Sequence, residues 1–162
     1  MVINDAVDFY GRTELTHAIL KKDTARALKL LEQSGDPNHV DYTGCSDLFF
    51  AAQSSELEVL RELLRLGADP NGLPGRPLPL LGAMYSAQSY SSRTEFDAYQ
   101  RAFEMVKALL EAGADPDRSQ SGRATVRQNA KYLVPGEIAE YVKAYPKQSC
   151  QEEGESRYEI IP

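Results

Sequence analysis

The stretch "LLRLGADPN" (63–71) closes one apolar-periodic segment and throws the chain into a turn. It has two near copies, "LLEQSGDPN" at 30–38 and "LLEAGADPD" at 109–117. Gly67 suits the left-handed residue that ends a helix, and Pro70 cannot continue one. Asp69 and Asn71 carry short side chains that can hydrogen-bond their own backbone in the turn. Each phrase therefore reads as the end of a helix and the connection to another unit.

The distances between the copies are regular. Asp36 to Asp69 is 33 residues, as is Asn38 to Asn71. Upstream, "DFYG" (8–11) and "DYTG" (41–44) keep the same step, and so do "TELTHA" (13–18) and "SDLFFA" (46–51). Three markers sharing one period imply stacked supersecondary units. Within each unit, "ELTHAILKK" and "DLFFAAQSS" read as short first helices, with Ala18, Ala51 and Ala52 at the tight contact. "TARALKLLEQ" and "ELEVLRELLRL" read as second helices, burying Leu28, Leu30 and Leu31, then Val59, Leu60, Leu63 and Leu64.

These residues resemble the ankyrin-repeat family, whose pattern runs roughly D-x-x-G-x-T-P-L-H-x-A-A, a second helix with paired Leu, then G-A-D-x-N. The first unit matches it at Asp8, Gly11, Thr13, Leu15, Ala18, Leu30, Leu31, Asp36 and Asn38. The second matches at Asp41, Gly44, Leu48, Ala51, Ala52, Val59, Leu63, Leu64, Gly67, Ala68, Asp69 and Asn71. The resemblance covers about 8–145 and implies an all-α ankyrin-repeat solenoid of about four helix-turn-helix repeats. The Pro and His of the family's T-P-L-H box are missing, since the box is "TELT" and then "SDLF". Those groups tie neighbouring turns together, so their loss is expected to lower local stability.

From Asn71 to Asp117 is 46 residues, 13 more than the period. "LPLLGAM" (78–84) opens the third unit and "FEMVKALLEAGADPD" closes it, which places an insertion at about 85–101. "SYSSRT" reads as a polar loop. Phe96, Tyr99, Phe103 and Val106 continue at helical spacing, as a second helix lengthened at its N-terminus and capped by Ser92 or Thr94. The fourth unit is degenerate, with Gly122, Thr125 and a short last helix starting at Pro135 or Gly136, as expected of a polar terminal cap. The repeats are thus placed at about 8–40, 41–73, 74–118 and 119–145, followed by a polar tail at 146–162 that is expected to be mobile.

Bulk properties narrow the function. With 162 residues the chain is one domain or a short array. No apolar run approaches the roughly 20 residues that span a bilayer, and "MVINDAVDFY" is not expected to act as a signal peptide. Cys45 and Cys150 read as two reduced thiols, which places the chain in the cytoplasm. A formal charge of −6 disfavours nucleic acid and favours a basic partner. No cofactor or metal is expected: His17, His39 and Cys45 lack partners at ligand or triad spacing, and acid pairs such as Glu95 with Asp97, or Glu152 with Glu153, read as solvated faces. "GLPGRP" (72–77) is no phosphate loop, because proline removes the backbone donors such a loop needs.

What remains is a surface. Stacked repeats present a concave face made of hairpin tips and first helices. Registry with the family puts Phe9, Tyr10, Arg12, Tyr42, Thr43, Cys45, Arg76, Gln120 and Arg123 at the tips. The variable first-helix positions are Leu20, Lys21, Gln53, Ser54, Tyr85, Ser86, Lys131 and Tyr132. Tyr and Arg anchor interfaces, so the candidate partner-binding set is Phe9, Tyr10, Arg12, Lys21, Tyr42, Gln53, Arg76, Tyr85, Tyr90, Arg93, Arg123 and Tyr132. Phe9, Tyr10 and Tyr42 form a candidate aromatic ridge, while Tyr85, Tyr90 and Arg93 belong to the insertion. The expected function is non-catalytic binding of one protein. By analogy with small stand-alone bacterial ankyrin proteins, that is an immunity protein whose acidic stack neutralises a basic toxin. An adaptor or host-directed effector using the same face is the alternative, and an enzyme using His17, Cys45 or Glu95 is a more distant one.

Overall fold

The computed structural model describes residues 5–33, 36–88, 96–120, 122, 124–134 and 136–146. Among them are eight helices and no strand: α1 (Glu14–Leu20), α2 (Thr24–Glu32), α3 (Asp47–Gln53), α4 (Leu57–Arg65), α5 (Pro79–Gln88), α6 (Phe96–Glu111), α7 (Val126–Leu133) and α8 (Gly136–Ala144). The chain is all-α. Of the expected tail at 146–162, all but residue 146 lies outside the described residues, as do Ser92 and Thr94.

Consecutive helices pair: α1 with α2, α3 with α4, α5 with α6, α7 with α8. The pairs then stack in two rows. The first helix of each pair packs on the first helix of the next (α1, α3, α5, α7), and α2, α4 and α6 pack likewise. The edge-on rings of Phe103 and Tyr141 join α8 to α6. The core lies between the rows, where Ile19, Leu48, Leu60, Leu63, Leu80, Met84, Met105, Leu109, Leu110 and Ile138 are fully buried. Small residues let the first row close up. A Cβ on Gly82 would stand 3.1 Å from the Phe49 carbonyl oxygen, so α5 meets α3 almost backbone to backbone.

Local signals explain where each helix starts and stops. Thr13, Ser46 and Thr125 cap α1, α3 and α7, each accepting from the amide three residues on. α4 and α6 end in the motif read from "GADP": the Ala68 amide reaches the Leu63 carbonyl, and Ala114 reaches Leu109, over positive-φ Gly67 and Gly113. α1 and α3 end in the same wrap without glycine. Asp23 donates to Ala18 and Glu56 to Ala51, over Lys22 (φ 56°) and Ser55 (φ 65°), two residues 33 positions apart.

The third pair corrects the expectation for the insertion. The added length falls on both helices, since α5 has 10 residues against 7 in α1 and α3, and α6 has 16 against 9 in α2 and α4. Tyr85–Gln88 is helical because "YSAQ" holds no breaker, and Ser86 bonds back to the Ala83 carbonyl at 2.8 Å. Phe103 is buried and Tyr99 packs partly on the core.

Candidate functional site

Two aspartates 33 residues apart build the first hairpin tips. Asp8 accepts from the amides of Tyr10 and Arg12 at 2.8 and 3.1 Å; Asp41 accepts from those of Thr43 and Cys45 at 2.9 and 3.1 Å. Partial desolvation pushes the Asp8 carboxyl up, but the two amides and the His17 ring, 3.0 Å away, outweigh it and hold it below its ordinary value. Asp41 is buried, and its free oxygen faces Arg12 Nε at 3.5 Å, an ion pair that stops short of a hydrogen bond.

Each tip rests on the one before it. The Tyr42 amide donates to the Tyr10 carbonyl at 2.8 Å, and the Tyr42 ring lies on Gly11, where an added Cβ would come within 2.6 Å of it. The Arg76 side chain lies on Gly44 in the same way, within 2.7 Å of an added Cβ, and its Nη1 donates to the Thr43 carbonyl at 3.3 Å. Both glycines also hold positive φ, so they serve the turn and the close approach at once. Three residues from the candidate binding set thus have structural employment. Arg12 sits between Asp41 and the rings of Tyr10 and Phe50, Tyr42 roofs Gly11, and Arg76 roofs Gly44.

Polar ties join neighbouring pairs. Thr16 Oγ1 donates to Asp47 Oδ1 at 2.6 Å, and His39 Nε2 donates to the Gly11 carbonyl at 3.0 Å. Asp47 is buried, with its second oxygen unpartnered among the described residues, and burial pushes its pKa up to about 6. The turn asparagines do more than bond locally, which corrects the expectation for Asn71. Asn38 donates to the Gly67 carbonyl and accepts from the Asp69 amide; Asn71 does the same with Gly113 and Asp115. Each strap joins residues about 30–45 positions apart, so no local pattern reveals it.

The rest of the candidate set lies on the surface. Phe9 is 98 % exposed, and Tyr10 and Tyr42 are exposed beside it. Leu20, Gln53, Tyr85 and Tyr132 each lie two residues beyond a buried alanine of a first-row helix: Ala18, Ala51, Ala83 and Ala130. This common register puts four exposed side chains, one per helix, in a ladder along the row. Lys21 is exposed at the end of α1, beside an open groove lined by Val7, His17 and Asp23. Lys131 lies 4.6 Å over the Tyr132 ring. Ser86 is buried and leaves the surface set. Tyr90, Arg93 and Arg123 fall outside the described residues, as do Glu95, Cys150, Glu152 and Glu153.

Chemistry at the tips is subdued. Burial raises the Cys45 thiol above its ordinary pKa, and nearby Asp41 adds to that against the Thr43 hydroxyl, so the thiolate is disfavoured. Among the described residues no cluster of His, Cys, Asp and Glu is placed to hold a metal ion, and no helix is long and apolar enough to cross a membrane. No protein-family model matches the chain, and no curated protein matches it.

Proposed function

We propose that the chain is an ankyrin-repeat stack that binds one partner protein through its hairpin tips and first-row helices, and that it acts as a non-catalytic inhibitor of that partner. The observation that carries the reading is the ladder of Leu20, Gln53, Tyr85 and Tyr132, exposed side chains that continue past the buried alanines of the four first-row helices. The 33-residue step supports the ankyrin assignment, because Gly11 and Gly44, Lys22 and Ser55, and Asn38 and Asn71 repeat both their spacing and their geometry. Non-catalytic action is favoured by the fate of the titratable groups at the tips: Asp8, Asp41 and Arg12 hold the hairpins together. Four helix pairs offer one compact face, which suits a single partner. An immunity protein that neutralises a toxin made in the same cell is the specific form we favour.

The test is co-expression of the tagged chain with the protein encoded by the adjacent gene. A stoichiometric complex is expected. Phe9→Ala combined with Tyr132→Ala, at the most exposed ring of the tips and the most exposed ring of the ladder, should weaken it by at least about 2 kcal/mol while the thermal melt stays in place. A stable monomer that binds none of its genomic neighbours would refute the inhibitor role. An affinity untouched by the double substitution would refute the face.

A further inference from the structure

The net charge of −6 is unevenly placed. On the second-row helices, Glu32, Glu58, Asp97, Glu111 and Glu137 are exposed with no cation partner among the described residues, against Lys29 and Arg101 on the same row. The first-row helices and tips are the reverse. Their carboxylates are engaged or buried: Asp8 with His17, Asp41 with Arg12, Glu14 with Arg26, Asp47 with Thr16. Their cations Lys21, Arg76 and Lys131 are exposed and form no ion pair among the described residues. Asp5, at the N-terminal edge, and Asp23, which lines the same groove as Lys21, are exposed acids beside them.

We propose that this face binds an acidic segment of its partner protein, with the Lys21, Arg76 and Lys131 cations meeting carboxylates and the Leu20–Tyr132 ladder meeting apolar side chains. The proposal rests on the reading that this face binds a protein, and it reverses the sign of partner that net charge alone suggests. Complementary charge across an interface sets specificity and encounter rate, and it is the local field of the contacting face that matters. The other polyanion, nucleic acid, fits less well. Phosphate binding needs a clustered basic track, whereas these cations are separated by apolar and amide side chains and backed by an acidic row.

A peptide-display selection on the full chain, with a random 12-residue library, separates the outcomes. Binders enriched in Asp and Glu with at least one aromatic or aliphatic residue are expected. Synthetic versions should lose at least tenfold in affinity on Lys21→Glu with Lys131→Glu, and should weaken as salt rises from 50 to 300 mM. Glu32→Lys with Glu111→Lys should leave them unchanged. Should Arg76→Glu unsettle its tip, Arg76→Gln is the variant to read, and a several-fold loss is expected. Binders rich in Lys and Arg that still depend on Tyr132 would overturn the acidic partner while leaving the face standing. Binders indifferent to every first-row substitution, or no binders at all, would overturn both. Tighter binding of a 12-nucleotide single strand than of the acidic peptides would overturn the choice of a protein partner.

Discussion

Between the first two helix pairs, the hydrogen-bonded cross-links are short, beside the Arg12–Asp41 ion pair: Asn38 straps the end of α4, His39 reaches Gly11, and Thr16 donates to a buried Asp47 whose other oxygen has no partner among the described residues. Between the last two pairs, Asp117 stands where the asparagine of the repeated phrase would be, and the solution changes. Asp117 takes Arg127 in a two-pronged ion pair at 2.8 and 3.1 Å, and Arg127 Nη1 donates to the carbonyls of Val142, Lys143 and Tyr145. One residue thereby satisfies the orphan carbonyls at the end of α8 and pins that helix to the preceding turn. The contrast teaches that one position of the repeated phrase can hold its neighbour in two ways, by a neutral asparagine strap at Asn38 and Asn71 or by a charged clasp at Asp117.

The sharpest way to break the contrast is Arg127→Ala. It removes the clasp and strands several partly buried acceptors, so a loss of about 3 kcal/mol is expected, with faster hydrogen exchange confined to 126–145. Urea melts and amide exchange read both quantities.

Asp47→Asn tests the buried end of the comparison. The Asp47 carboxyl titrates near 6 in the fold against 3.8 as its ordinary value. Between those values the folded chain holds a proton that the unfolded chain lacks, so at this position stability rises as pH falls from 6 toward 4, and the burial penalty is complete above 6. The variant should exceed the parent by about 2 kcal/mol at pH 7.5, with the gap closing by pH 4. Urea melts across that range measure it, and a constant gap would disprove the buried charge.

The smallest effects belong to the straps. Asn71→Ala, which is partly buried, should cost about 1.5 kcal/mol, and the exposed Asn38→Ala about 1 kcal/mol, by thermal or urea denaturation. Equal losses at Asn71→Ala and Asn71→Asp would show that the donor half of the strap carries its energy.

These outcomes also mark what the sequence could reveal. Helix ends were legible because Gly67, Pro70 and Gly113 act on their own neighbours, and the helical stripes because Val59, Leu60 and Leu63 recur at the helical period. The lengthened α5 was hidden, since "YSAQ" suits a helix end and a helix interior equally. The straps, the roofing of Gly11 by Tyr42 and the burial of Asp47 depend on partners some 30 residues away, which local chemistry does not name. For the candidate site, sequence registry supplied the tips and the first-row positions. It could not separate Phe9, which touches solvent almost everywhere, from Arg12, which is committed to Asp41. Nor could it show that most of the exposed, unpaired acids gather on the second row.

The asparagine straps have a consequence for how such a chain can grow. Each reaches forward, from one turn to the close of the next second-row helix, and asks only for a Gly carbonyl and an Asp amide at that point. A tandem duplicate of residues 41–73, spliced in after Leu73, carries both the outgoing hooks and the eyes that receive them. The gene can therefore lengthen by whole cassettes in its middle, while Arg127 keeps the finish fixed at the far end.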